Sequence, residues 1–155
     1  IDDGSSGVLS QMVELYPQRE RSIIGTELVP PQDTGSYGVV DPEGDGRVVK
    51  IKGIVEKPDP KDAPSNRAVV GRYILRPQIF RHLSQIGRGA GGEIQLTDAI
   101  ARLIDEEEVL AYEFEGRRYD CGSKLGYLQA TVDYAINHHH LGPEFSRWLH
   151  DKYSQ

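Results

Sequence analysis

The sequence predicts an α/β protein, and three observations carry that prediction. Short runs rich in β-branched residues alternate with stretches of helical apolar spacing, glycine and proline punctuate the joins, and 155 residues, 37% of them hydrophobic, suffice for a single domain with a real core. No apolar run approaches the length of a membrane span. A net charge of -6 without a basic stripe argues against a general nucleic-acid binder, because binding to a phosphate backbone rests on clustered Lys and Arg. Small anionic ligands at a local site remain compatible with it. The single cysteine, Cys121, excludes an internal disulfide framework and fits a reducing cytoplasm. Ile1-Asp2-Asp3-Gly4 offers neither an initiator Met nor a signal segment and reads as the middle of something longer.

The elements follow in order. Ser5 or Ser6 is expected to cap a helix in which Val8, Leu9, Met12, Val13 and Leu15 keep helical spacing, with Pro17 ending it. Residues 23–29 read as a strand and Pro30-Pro31 with Asp33, Thr34 and Gly35 as a turn. Tyr37-Gly38-Val39-Val40 resumes strand character, with Gly38 marking either a bulge or a close approach of ligand to backbone. Residues 41–46 form a turn of glycines, proline and acids that feeds a strand over 48–55. A proline-punctuated loop then leads to a strand over 68–75. Pro77 stands where a first helical residue belongs, and Ile79, Phe80 and Leu83 mark a short helix ending at Gly87. The glycine-rich run 87–92 lacks the spacing and Gly-Lys-Ser/Thr ending of a P-loop and reads as a linker. Leu96, Ile100, Leu103 and Ile104 define an amphipathic helix with Thr97 near its start, closed by the solvated acids Asp105 to Glu108. An alternating strand over 109–115 and a short strand over 117–120 precede a helix capped by Ser123, with Leu125, Leu128, Val132 and Ala135 on one face. A last helix from about Pro143 sets Phe145, Trp148, Leu149 and Tyr153 on one stripe, which packs on its own domain or on another subunit.

Three places invite chemistry. At Glu56-Lys57-Pro58 a strand ends in an acid, a base and a proline; regular strand geometry points the two charges to opposite sides, and Pro58 favours an extended Lys57. Two readings stand, an ordinary solvated strand end and a binding edge, in which an ammonium meets phosphate and a carboxylate accepts from sugar hydroxyls. Asp120 lies in a strand-to-helix turn, where open α/β sheets place ligands, and is either a turn residue or a ligand for a hard cation. His138-His139-His140 do not share a helical face and read as a helix C-terminus in preference to a metal site.

Taken together, Tyr37-Gly38-Val39-Val40, Val55-Glu56-Lys57-Pro58, Ala63-Pro64-Ser65-Asn66, Val70-Gly71-Arg72-Tyr73, the stretch Gly92 to Ile100, the stretch Asp120 to Tyr127 and Leu141-Gly142-Pro143-Glu144-Phe145 form an ordered series. That series resembles the C-terminal half of the bacterial UTP-glucose-1-phosphate uridylyltransferases, a family of sugar-phosphate nucleotidyltransferases. The resemblance implies that residues 1–155 are the sugar-binding, metal-contributing C-terminal part of a mixed-sheet, Rossmann-like fold with flanking helices, without the N-terminal nucleotide-binding half. It implies transfer of a uridylyl group from UTP to glucose 1-phosphate by the complete enzyme, with this segment alone inactive and the apolar edges of a half sheet exposed. By the same resemblance, Lys57 contacts the sugar phosphate and Glu56 the glucose hydroxyls, while Gly38, Val69, Val70 and Gly71 line the sugar pocket. Asp120 is the second of two aspartates that hold Mg²⁺; the first belongs upstream of this segment, so Asp2 and Asp3 are not it. A cytoplasmic homo-oligomer is expected. A thymidylyltransferase relative and a non-catalytic oligomerisation module are the rival readings.

Overall fold

The computed structural model describes residues 6–89 and 92–154, so the Ser5 cap and part of the glycine-rich run lie outside the described residues. The chain falls into two compact units, one up to Gly116 and one from Arg117 onward.

The first unit opens with α1 (Val8–Arg19), whose Val8 and Met12 are buried while Leu9 and Val13 stay exposed. Gly7, not Ser6, occupies the N-cap position. The helix also runs through Pro17, because a proline in the last turn removes a single N–H, and Glu20 in a left-handed conformation closes the end on the Tyr16 carbonyl at 2.7 Å. Strands β1 (Ser22–Leu28), β2 (Gly38–Glu43), β3 (Val48–Glu56), β4 (Arg67–Ile74) and β5 (Val109–Glu113) follow, with helices α2 (Gln78–Gln85) and α3 (Leu96–Glu106) between the last two strands. A 3₁₀ turn over Pro31–Ser36 fills the place expected for a turn.

The five strands close into a ring in the order β1-β4-β2-β3-β5, with β5 pairing back onto β1. Only the β1–β5 pair among them is parallel, so the sheet is mixed, as expected. Each described strand thus has a partner on both sides, although β2 meets β4 only at Val39 and Ala68 and β3 meets β5 only over residues 48–50, so closure covers part of the expected open edges. β5 buries Val109, Leu110 and Ala111 in succession and does not alternate, so both of its faces are covered there. One hydrophobic core joins Ile24, Val40, Val49, Ile51, Ile54, Val109 and Ala111 of the ring to Ile79 of α2 and Ala99, Ile100 and Leu103 of α3.

Two helix faces differ from expectation. On α2 the buried residues are Ile79 and His82, three apart, whereas Phe80 lies one position off that face and is 73% exposed. The acids ending α3 are not all solvated, since Glu107 pairs with Arg76 at 3.0 Å and accepts from the Ser22 hydroxyl at 3.0 Å. The Ala63 to Asn66 motif is a staple: Ser65 donates to the Val40 carbonyl at 2.6 Å, and the Asn66 backbone and side chain bond to Val29.

The second unit holds α4 (Lys124–Ile136) and α5 (Gly142–Tyr153). Ser123 caps α4 as expected, accepting from Gly126 N–H at 3.0 Å. Residues 117–120 form no strand beyond a single bridge at Arg117. The apolar face expected on α4 exists but faces outward: Leu125, Leu128 and Val132 are exposed, while Gly126 and Ala130 are buried. The histidine run lies just past the end of α4, where the His138 ring accepts from the backbone N–H groups of His140 and Leu141 at 3.2 Å and shapes the turn into α5.

Candidate functional site

The end of β3 and the start of β2 lie side by side, with Gly38 opposite Glu56. Around them opens a cavity of about 220 Å³ lined by Ser36, Tyr37, Gly38, Glu56, Val69, Gly71, Tyr73 and Thr97. Four of the residues expected to form a sugar pocket thus meet: Gly38, Glu56, Val69 and Gly71. Val70 does not line the cavity. It sits between Val69 and Gly71 on β4, where alternate residues share a face, and the same alternation adds Tyr73. Gly38 is a place of close approach and not a bulge, because a Cβ there would stand 3.2 Å from Oε2 of Glu56. The irregularity in β2 falls later, between Asp41 and Pro42.

The Glu56 carboxylate is fixed from a third direction. The Thr97 hydroxyl, in the first turn of α3, donates to its Oε2 at 2.6 Å. Thr97 was legible only as a residue near a helix start, since a hydrogen bond to a strand end 41 positions away leaves no local signature. The charge on Glu56 is felt across the cavity: burial first, and the Glu56 carboxylate second, push the Tyr73 phenol above its usual range.

Lys57 departs from its expected geometry. Its φ is 45°, in the left-handed region, so the chain turns sharply out of β3 instead of continuing extended towards Pro58. Its N–H donates to the Tyr37 carbonyl at 2.9 Å, which closes the last rung beside the cavity. For a residue with a Cβ this conformation costs about 1–3 kcal/mol, and such outliers gather at functional sites. The lysine is exposed and beside the cavity, not among its lining residues.

In the second unit Asp120 is exposed and its Oδ1 accepts from Gly122 N–H at 3.0 Å, an Asx turn that leads into the Ser123 cap. Gly126 in the first turn of α4 is required by that arrangement, because a Cβ would overlap the Asp120 carbonyl. No group of three His, Cys, Asp or Glu able to hold a metal occurs among the described residues. A lone exposed carboxylate could supply one oxygen ligand to a hard cation such as Mg²⁺ but is not a self-sufficient site. Nearby, Asp133 accepts from Arg117 at 2.7 Å and from the Tyr119 hydroxyl at 2.6 Å, and that second bond is the first cause of a raised Tyr119 pKa.

Residues 4–137 match the family described as Nucleotidyl transferase. The chain belongs to that family. Among curated relatives of this nucleotidyl transferase, the UTP-glucose-1-phosphate uridylyltransferase of Staphylococcus epidermidis is 43% identical over 150 residues, covering 96% of this chain and 51% of its own length. The enzyme of the same name from Bacillus subtilis is 47% identical over 129 residues, covering 83% of this chain and 44% of its own. The nucleotidyl transferase chain thus spans about half the length of these relatives. A solved UDP-glucose pyrophosphorylase complexed with UDP-glucose gives a TM-score of 0.82 at 44% identity, covering 86% of this chain and 51% of that one. A solved UDP-glucose pyrophosphorylase from Acinetobacter baumannii gives a TM-score of 0.84 at 41% identity, covering 97% of this chain and 52% of that one. The resemblance read from the ordered motifs is borne out by these relatives.

Proposed function

We propose that this chain is the sugar-binding and metal-contributing part of an enzyme that transfers a uridylyl group from UTP to glucose 1-phosphate, giving UDP-glucose and pyrophosphate. The observation that carries the reading is the cavity where Gly38, Glu56, Val69, Gly71 and Tyr73 converge, in a chain 43–47% identical to proteins named for that reaction. Its volume of about 220 Å³ suits one monosaccharide, and Glu56 accepts hydrogen bonds from sugar hydroxyls there. Lys57, exposed beside the cavity, holds the sugar's phosphate. In this reading the chain is the C-terminal part of a Rossmann-like fold whose nucleotide-binding half lies in the part of the relatives' length that this chain does not span, and the chain by itself turns nothing over.

The reaction asks for no side-chain nucleophile. A phosphate oxygen of glucose 1-phosphate attacks the α-phosphorus of UTP, the bond to the bridging oxygen of the leaving pyrophosphate breaks, and the charge moves onto that leaving group. Two anions must be brought together, so the ammonium of Lys57 works by position and by charge. Asp120 supplies one oxygen ligand to Mg²⁺, which when bound offsets the phosphate charges. Association into homo-oligomers belongs to the same proposal, supported by the exposed Leu125, Leu128, Trp148 and Tyr153 of α4 and α5.

The test is pyrophosphate release from glucose 1-phosphate by the complete enzyme, with UTP and dTTP compared. Turnover with UTP, lost in Lys57→Ala, is expected. Turnover only with dTTP would favour the thymidylyltransferase reading. No turnover with either nucleotide would overturn the proposal.

A further inference from the structure

Resting on the sugar-pocket reading above, we infer that Thr97 is a positioning residue for the substrate carboxylate, and that the Thr97–Glu56 hydrogen bond decides which oxygen of Glu56 meets the sugar. The bond is short, 2.6 Å, and joins the first turn of α3 to the last residue of β3. A hydroxyl that donates to a carboxylate makes one of the stronger side-chain bonds. Both ends of this one are held. Ala99, Ile100 and Leu103 fix α3 in the core, and the β-branched Thr97 has few χ1 rotamers. On the other side, Glu56 closes a strand paired with Gly38.

The geometry divides the labour between the two carboxylate oxygens. Oε2 already accepts from Thr97 and lies 3.2 Å from where a Cβ at Gly38 would stand, so it is hemmed in on two sides. Oε1 is therefore the oxygen left to accept from a sugar hydroxyl, and it is held in one orientation before the sugar arrives. Threonine here replaces rotamer freedom of a three-torsion side chain with a fixed acceptor, so its contribution appears in binding of the sugar phosphate and not in binding of the nucleotide.

Steady-state kinetics of the complete enzyme test this, with glucose 1-phosphate and UTP varied separately in Thr97→Val, Thr97→Ser and Glu56→Gln. Thr97→Val keeps the shape and removes the donor. The expected result is a KM for glucose 1-phosphate raised about 10- to 100-fold, a KM for UTP within about threefold, and near-native values in Thr97→Ser. In a Glu56→Ala background Thr97→Val is expected to add nothing, since the partner is gone. A raised KM in Glu56→Gln together with an unchanged one in Thr97→Val would overturn this inference while leaving the pocket reading intact. Unchanged values in both variants would overturn the pocket reading itself. Equal losses towards both substrates, accompanied by a lowered melting temperature in Thr97→Val and Thr97→Ser alike, would show a structural role and overturn the inference.

Discussion

The two carboxylates singled out for function are held in opposite ways. Glu56 sits where β2, β3, β4 and α3 meet, one oxygen tied to Thr97 and 3.2 Å from where a Cβ at Gly38 would stand. Asp120 is held by its own turn, through Gly122 N–H, and is exposed. The first is placed by tertiary structure and can orient a neutral ligand with many hydroxyls. The second is placed by a few consecutive residues and keeps oxygen lone pairs free, which suits a ligand to an ion that brings its own water. On the roles proposed above, the contrast teaches that a recognition site and a charge-contributing site need different amounts of scaffold.

The largest expected effects would break the contrast if it is wrong. In the complete enzyme Lys57→Ala and Asp120→Ala are each expected to lower kcat/KM about 10³-fold, as removal of a group that stabilises developing charge does. Asp120→Asn is expected to keep the turn to Gly122 and the α4 cap, so its melting temperature stays native while activity falls nearly as far. Near-native kcat/KM in Lys57→Ala and Asp120→Ala would sink the roles assigned to both.

Next in size is a stability comparison between the units. Leu103→Ala removes a fully buried side chain from the ring core and is expected to cost about 2–5 kcal/mol in urea unfolding. Leu128→Ala on α4, 59% exposed, is expected to cost about 0.5 kcal/mol or less in the isolated chain. A cost at Leu128 that grows with protein concentration would show that self-association covers that face.

How far these differences were legible depends on their range. Strand and helix positions follow from local patterning, and the Ser123 cap was read from its own turn. Ring closure was not legible, because the β1–β5 pairing joins segments some eighty residues apart and gives no periodic signal. The same holds for Thr97, which meets Glu56 only after α3 packs. Lys57 was misjudged for a local reason. The residue before a proline is biased away from the right-handed helical region, but the left-handed turn at its φ of 45° was set by the hydrogen bond of its N–H to Tyr37. For α2, spacing found the helix, yet Phe80 is exposed and His82 is the residue buried beside Ile79, since one residue of phase decides which side chain is buried.

A smaller effect is expected at Gly38, which sharpens the account of Glu56. In Gly38→Ala the new methyl group would sit 3.2 Å from Oε2, close enough to displace the carboxylate by a few tenths of an ångström and no more. The KM for glucose 1-phosphate should rise roughly tenfold, the equivalent of about 1.4 kcal/mol, with little change in melting temperature. A rise in the KM for UTP of the same size would place the cavity on the nucleotide side and not the sugar side.

The smallest effect is electrostatic and is read without any substrate. Burial and the Glu56 charge both favour the neutral phenol of Tyr73, so the folded chain releases that proton at higher pH than the unfolded chain does. The sign follows by linkage: above the ordinary tyrosine pKa of about 10 the folded state binds more protons than the unfolded state, so this contribution to stability is full below that pH and is lost as pH rises. Ultraviolet titration of phenolate, taken as the difference between the native chain and Tyr73→Phe, should show one late-titrating tyrosine. Glu56→Gln should move that midpoint part of the way down, leaving the share due to burial. A midpoint that does not move would mean the carboxylate charge is screened from the cavity, and Glu56 would then resemble the exposed Asp120 more closely than its three-sided support implies.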